Sequence, residues 1–162
     1  MILDALGILS EAQDLLDGAE DSTNVIGSQA DGSGVDFTHL EDVWLTVDTE
    51  TVAGGGSSST YEVALVVAQE ATLDNILQVV SVKITGLTDT RIATAGNRIL
   101  EVNLGSLLQN FDISTYEFVG LIYTLVNGNG TASLSCNAAM STGRPRTPDN
   151  TQVTRSPVGL PG

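Results

Sequence analysis

Three consecutive stretches decide the fold class: EFVGLIYTLV (Glu117–Val126), NGNG (Asn127–Gly130) and TASLSCNAAM (Thr131–Met140). The first is a long apolar run that favours a strand, and the second is typical turn chemistry. In the third, small apolar residues alternate with Ser and Asn, which is the period-two pattern of a strand with one buried face. We therefore predict a β-hairpin over this region, in a protein built mainly of strands.

The same period of two recurs in earlier parts of the chain. Alternating apolar and polar side chains predict strands around Leu45, Val82 and Val102. The segment from Tyr61 to Ala68 is apolar at its centre on both faces, as expected of a strand that is covered on two sides. About eight strands are predicted in total, so we expect an all-β fold, either a jelly-roll or a related two-sheet β-sandwich.

The N-terminal segment carries a helix signal. Ser10 and Gln13 have the spacing of a capping box, and Gly18 supplies a stop. We predict one short helix over about residues 11–17. The chain then divides into an N-terminal arm with this helix (1–21), a jelly-roll domain (22–142) and an extended C-terminal arm (143–162).

The predicted C-terminal arm differs in composition from the rest of the chain. All four prolines lie between Gly143 and Gly162. Proline lacks the backbone N–H that a central strand donates, so this segment cannot extend a sheet interior. We expect an extended arm that is either disordered or ordered by a partner.

The chain is strongly and unevenly acidic, with 20 Asp and Glu against 6 Lys and Arg and a formal net charge of −14. No base precedes Lys83, whereas 15 of the acids do. Such a surface repels phosphate backbones, so we expect no direct nucleic-acid partner. The start lacks a basic segment and no apolar run approaches the length of a membrane span, so we expect neither a secretory signal nor a membrane partner.

Candidate catalytic and metal-binding side chains are few. His39 is the single histidine, and a lone histidine is more often a polar surface residue than part of a catalytic pair. Cys136 falls on the apolar face of its predicted strand, where we expect a buried thiol with a raised pKa. Acid pairs such as Asp48 and Glu50 lack the spacing of an EF-hand loop, and a weak divalent-ion site is left open. We predict no enzyme activity, no cofactor and no dedicated metal site.

A series of short motifs, in a fixed order along nearly the whole chain, resembles one known family. The motifs are Met1-Ile2-Leu3-Asp4, Ser10–Gln13, Ser22–Ile26, Tyr61–Leu65 after a Gly/Ser loop, Thr94–Arg98, Phe118–Tyr123 and Thr131–Leu134. They look like those of tailed-phage capsid cement (decoration) proteins of the Bordetella-phage type. The chain departs from that pattern in its C-terminal arm, which is longer.

The resemblance implies a viral structural protein that is made in the host cytoplasm and lies on the outer capsid surface of the virion. There it would bridge neighbouring subunits of the major capsid protein, without a cofactor and without catalysis. Cement proteins act around symmetry axes, so the second expected partner is the chain itself, as a symmetric homo-oligomer that is a trimer or a dimer.

Two other classes of function stay open at this point. A carbohydrate-binding β-sandwich module, for attachment to host or surface glycans, would display an aromatic platform. A hydrolase on the same scaffold would need a pair of carboxylates, for which Asp48 and Glu62 are the residues to test.

The two arms are the predicted partner-binding elements. Each of their apolar side chains would contribute about 1.5–3 kcal/mol if a partner buried it fully. Their arginines would pair with acids on a neighbouring subunit, including the acidic half of a second copy. The alternative is that these residues close the ends of their own domain. The residues concerned are Ile2, Leu3, Leu6, Ile8, Leu9, Arg144, Arg146, Arg155, Val158 and Leu160.

Overall fold

A computed structural model describes residues 8–15, 18–26, 42–54, 59–85, 95–126 and 132–144 of the chain. These ranges contain eight strands and one short helix. In chain order they are β1 (Ile8–Leu15), β2 (Gly18–Asp21), β3 (Val43–Gly54), β4 (Thr60–Ala68), β5 (Ile76–Thr85), β6 (Arg98–Asn103), α1 (Leu104–Leu108), β7 (Phe118–Val126) and β8 (Ala132–Thr142).

The strands form two antiparallel four-stranded sheets. Sheet I has the order β1-β8-β3-β6, and sheet II has the order β2-β7-β4-β5. The first strand therefore pairs with the last, the second with the seventh, the third with the sixth and the fourth with the fifth. Successive pairs fall alternately in the two sheets, as in a long hairpin rolled around a core, which is the jelly-roll topology. The predicted all-β jelly-roll sandwich is confirmed.

The hydrophobic core lies between the two sheets. From β4, the side chains of Tyr61, Val63, Leu65 and Val67 enter it, and each is at most 1% exposed. The alternate residues of β4 belong to a second, smaller cluster on the outer face of sheet II, which contains Ala64, Val66, Ala68, Leu73 and Phe118. From Val63 to Ala68, β4 is buried on both faces, so the prediction of a strand covered on two sides is confirmed.

The connection between β4 and β5 covers part of this outer face. Leu73 lies in this connection with a φ of 54°, a left-handed conformation that few residues other than glycine adopt. Its side chain packs on Gly120 of β7, where an added Cβ would lie 2.7 Å from Leu73 Cδ2. Gly120 therefore leaves the space in which Leu73 contacts the sheet.

The predicted hairpin of Glu117–Met140 is wrong, although both of its strands exist. β7 pairs with β2 and β4 in sheet II, whereas β8 pairs with β1 and β3 in sheet I. Leu121 of β7 and Cys136 of β8 therefore face the same core from opposite sides. Packed sheets lie about 10 Å apart, a distance that a few residues can span, so a turn signal between two strands does not require that they pair.

The predicted helix over residues 11–17 is also wrong, because Ile8–Leu15 is an edge strand of sheet I. The strand is irregular: its register with β8 shifts twice, and Ala12 has a φ of 45°. A helix of this length is only marginally stable, and pairing with β8 satisfies the same backbone groups. The described residues contain a single helix, Leu104–Leu108, in which Asn103 Oδ1 accepts the backbone N–H of Ser106 at 2.8 Å.

The capping-box pair performs a different task from the one predicted. Ser10 Oγ donates to Gln13 Oε1 at 2.7 Å, and the same oxygen accepts the backbone N–H of Thr23 at 2.9 Å. Tyr123 of β7 donates its hydroxyl to Ser10 Oγ at 3.0 Å. This network ties β1 to sheet II. Because β1 and β2 are strands of the two sheets, residues 8–15 and 18–21 belong to the sandwich, in contrast to the predicted arm of 1–21.

Candidate functional site

The outer face of sheet I carries the most distinctive side chains of the described structure. On β3, Trp44, Thr46 and Asp48 alternate with the buried Leu45 and Val47, so they lie on this face. Strand register places Glu101 of β6 and Ala139 of β8 on either side of Thr46. Trp44 is the only tryptophan of the chain and is half-buried here.

Arg98 is the centre of an ionic network on this face. Its Nε donates to Asp48 Oδ1 at 2.8 Å and its Nη2 to Asp48 Oδ2 at 3.2 Å, which is a bidentate pair. Its Nη1 donates to Glu101 Oε2 at 2.6 Å. The Arg98 and Glu101 side chains are only 16% and 17% exposed, and the hydrogen bond that Arg98 donates to Asp48 is the main cause of a raised Arg98 pKa. Such fork-like pairs fix side-chain orientation, so this part of the face is rigid.

Arg144 extends the network toward solvent. Its Nε donates to the second oxygen of Glu101, Oε1, at 2.8 Å, and its guanidinium carbon lies 5.4 Å from the centre of the Trp44 ring. Glu101 thus accepts from two arginines, and the hydrogen bonds from Arg144 and then Arg98 lower its pKa. The Arg144 side chain stays 73% exposed, so its cation–π contact is worth about 0.5–1 kcal/mol.

The backbone before Arg144 directs the chain out of sheet I. Gly143 has a φ of 74° and donates its N–H to the carbonyl of Asp42 at 2.8 Å. This turn ends β8 and places Arg144 over β3, with its side chain directed toward β6. The predicted C-terminal arm therefore begins on the outer face of sheet I.

A groove of about 300 Å³ lies on the same face over β8, between β1 and β3. Its floor contains the small side chain of Ala139, and Glu11 of β1 is an exposed carboxylate on its lining. Asn137 accepts the backbone N–H of Ala12 at 2.6 Å and donates to Glu50 Oε2 at 2.5 Å. The complete lining is Ile8, Ser10, Glu11, Thr46, Asp48, Asn137, Ala138 and Ala139.

The predicted partner-binding residues separate into three groups. Ile8 and Arg144 lie on the outer face of sheet I, half-buried and exposed respectively. Leu9 is fully buried in the protein's own core, because the alternation of β1 directs it inward, so it is a core residue and not a partner contact. The remaining seven, which lie outside the described residues, are Ile2, Leu3, Leu6, Arg146, Arg155, Val158 and Leu160.

The structure also describes the candidate residues Cys136, Asp48 and Glu62. Cys136 is fully buried, and burial, with a smaller effect of Asp48, raises the pKa of its thiol to about 12, which confirms the prediction. Asp48 lies on the outer face of sheet I and Glu62 on that of sheet II, so the structure does not bring this carboxylate pair together. His39 lies outside the described residues.

Neither a cluster of metal ligands nor a membrane-spanning helix occurs among the described residues. No three His, Cys, Asp or Glu side chains among them converge as a metal site. Within the same ranges, no helix has the length and apolar character needed to cross a membrane.

The network around Trp44 and Arg98 was missed by sequence reasoning. Its members come from β3, β6 and the end of β8, and only strand register makes them neighbours. The available signal was the outward position of Trp44 in the alternation of β3. Comparison with known proteins adds no constraint, since no protein-family model and no curated protein matches the chain.

Proposed function

We propose that this protein is a structural cement protein of a tailed-phage head. It binds the outer surface of the capsid and bridges neighbouring major capsid subunits, and it does so without catalysis. The order of the sequence motifs and the jelly-roll topology support this proposal. The observation that carries it is the start of the C-terminal arm at Arg144, on a rigid face that presents Trp44.

This face has the composition of an interface. Tryptophan and arginine are enriched among residues that dominate binding energy, and they act best on a rigid support. Arg98 supplies that support, because its bonds to Asp48 and Glu101 hold β3 and β6 in one arrangement. Arg144 remains largely exposed, so a carboxylate of a capsid subunit can reach its free guanidinium nitrogens.

The arms add contacts beyond this face. In the proposal, the apolar residues of the N-terminal segment and of the C-terminal arm pack on neighbouring subunits. Copies of the chain arranged around a symmetry axis then repeat each contact. Repetition matters because linked contacts bind far more tightly than isolated ones.

The carbohydrate-binding alternative receives less support from the geometry. A sugar-stacking platform needs an open aromatic face. The guanidinium of Arg144 lies over the ring of Trp44, the only tryptophan, and Trp44 itself is half-buried. A glycan array that shows specific binding by the full chain would favour this alternative over the cement role.

Cosedimentation with shells tests the proposal. Purified protein is mixed with expanded empty heads of the virus that encodes it, with their own copies of the protein removed. We expect saturable binding that survives chelation of divalent ions. Arg144→Glu should weaken binding by roughly tenfold or more, because it reverses the charge of a central contact.

Lys83→Glu is the matched control, since it makes the same charge change at an exposed position of sheet II. It should bind as the unmodified protein does. The proposal fails if the unmodified protein remains in the supernatant. It also fails if both variants lose binding equally, because net charge rather than the outer face of sheet I would then decide binding.

A further inference from the structure

We propose that the groove on the outer face of sheet I binds the basic C-terminal segment, residues 145–162, of a second copy of this chain. The inference rests on the proposed role of that segment as a binding arm. It goes further by naming the surface that receives the arm and the molecule that supplies it.

The groove has the shape and charge for such an occupant. It follows β8, where Ala139 leaves space between the raised side chains of β1 and β3. Ile8 gives it an apolar wall, and Glu11 and Asp48 give it two carboxylates. Asp48 is already paired with Arg98, whereas the carboxylate of Glu11 is exposed on the lining. The groove is therefore acidic at one rim and apolar beside it.

The C-terminal segment has the complementary chemistry. It is basic within a chain whose net charge is −14, because Arg146 and Arg155 face a single acid, Asp149. Val158 and Leu160 supply apolar side chains, and the four prolines after Arg144 favour an extended backbone that loses little entropy when bound. An extended basic strand with apolar residues near its end matches an elongated groove with an acidic rim.

The direction of the chain at Arg144 points to a second copy as the donor. The groove lies on the β1 side of β3, whereas the side chain of Arg144 is held on the β6 side by Glu101. β8 also runs from Asn137 and Ala139 in the groove to Thr142, so the chain has already passed the groove where the arm begins. To enter its own groove, the arm would have to turn back along β8. Exchange between copies needs no reversal and closes into a symmetric assembly.

Sedimentation of the full chain in the absence of shells tests this association. We expect reversible self-association in the micromolar range that weakens as salt is raised. Glu11→Lys should weaken it by roughly tenfold, because it places a positive charge on the rim that receives arginines. Glu117→Lys is the matched control: Glu117 is also exposed and its variant carries the same charge change, but it lies immediately before β7 of sheet II.

Disulfide trapping identifies the two surfaces. One full-length variant carries Ala139→Cys in the groove and a second carries Ser156→Cys in the arm. Cys136 stays silent in both because it is buried. Mixing the two under mild oxidation should give a cross-linked pair of different chains, whereas Gln78→Cys, an exposed position of sheet II, should give much less with the same arm variant.

The results separate this inference from the proposed function. A chain that stays monomeric up to about 100 µM overturns it. So does equal trapping at Gln78→Cys, and so does a disulfide that forms only within a chain carrying both Ala139→Cys and Ser156→Cys. If shell binding persists in any of these cases, the cement role stands and only the exchange of arms fails.

Discussion

Replacing Ser10 by alanine should destabilise the protein far more than the loss of one exposed hydroxyl would. Ser10 and Tyr123 are each 1% exposed, and the Tyr123 hydroxyl donates to Ser10 Oγ at 3.0 Å. Without Ser10 Oγ, a buried hydroxyl loses its partner, which costs about 1–3 kcal/mol. Tyr123→Phe should cost less, about 0.5–1.5 kcal/mol, because Ser10 still donates to Gln13.

The double variant makes this prediction specific. Once Ser10 is alanine, removing the tyrosine hydroxyl no longer breaks a hydrogen bond and instead removes an unsatisfied buried group. Tyr123→Phe should therefore be nearly neutral, or even stabilising, in the Ser10→Ala background. Urea unfolding of all four proteins measures the coupling directly. In thermal unfolding, each kcal/mol corresponds to about 2–4 °C for a chain of this size.

Ser106→Ala serves as the control, because Ser106 is exposed on helix α1 and its alanine variant should stay within about 0.5 kcal/mol of the unmodified protein. The reasoning is refuted if Ser10→Ala is as mild as this control. It is equally refuted if the effects of Ser10→Ala and Tyr123→Phe simply add. Either result would mean that β1 does not dock on Tyr123 of sheet II.

Three further predictions follow from the same structure. Cys136, whose pKa burial raises to about 12, should react with a thiol reagent at pH 8 only as fast as the protein opens, so fast labelling of the native protein would contradict its burial. Arg144 and Arg98 lower the pKa of Glu101, so its contribution to stability is complete above its ordinary pKa of about 4.3 and is lost as pH falls through its lower folded value. Urea unfolding should therefore find Glu101→Gln less stable than the unmodified protein at pH 7, by a difference that shrinks as pH falls below about 4.3, and a constant difference would disprove the ion pairs. Gly120→Ala should lower the free energy of unfolding, measured in urea, by about 1–3 kcal/mol, because its Cβ meets Leu73 Cδ2 at 2.7 Å. If the same substitution lowers it by a similar amount in a Leu73→Ala background, Leu73 is not the cause.

Strand existence could be predicted from the sequence because it depends on local alternation. The double-sided burial of β4 was visible in its continuous apolar run, and the burial of Cys136 in the alternation of β8. Partner choice among strands depends on contacts between distant residues, which local patterns do not encode. The turn residues after β7 therefore predicted a hairpin, whereas β7 and β8 lie in different sheets.

The N-terminal segment shows a different limit. Ser10 and Gln13 do bond to each other, as their spacing predicts, but in an irregular strand and not in a helix. Pairing with β8 outweighed a weak local preference. Leu9 is a predicted partner contact because it lies in the predicted N-terminal arm, and it is in fact a core residue. A single error about the type of a secondary-structure element thus led to a wrong prediction for the role of a nearby residue.

The candidate site was predictable only in part. The exposed position of Arg144 at the start of the C-terminal arm agrees with a role in partner binding. Its contacts with Trp44 and Glu101 were not predictable, because Arg144 lies 100 positions after Trp44 and 43 positions after Glu101 in the chain. They meet because β3 lies between β8 and β6 in sheet I.

The thermal stability of shells provides the most direct measurement of a cement role. Expanded empty heads are heated with and without saturating amounts of the full chain, and disruption is followed by light scattering. The account predicts that bound protein raises the disruption temperature, because each copy links subunits that must separate. Heads that break at the same temperature in both samples, with the protein bound, would contradict it.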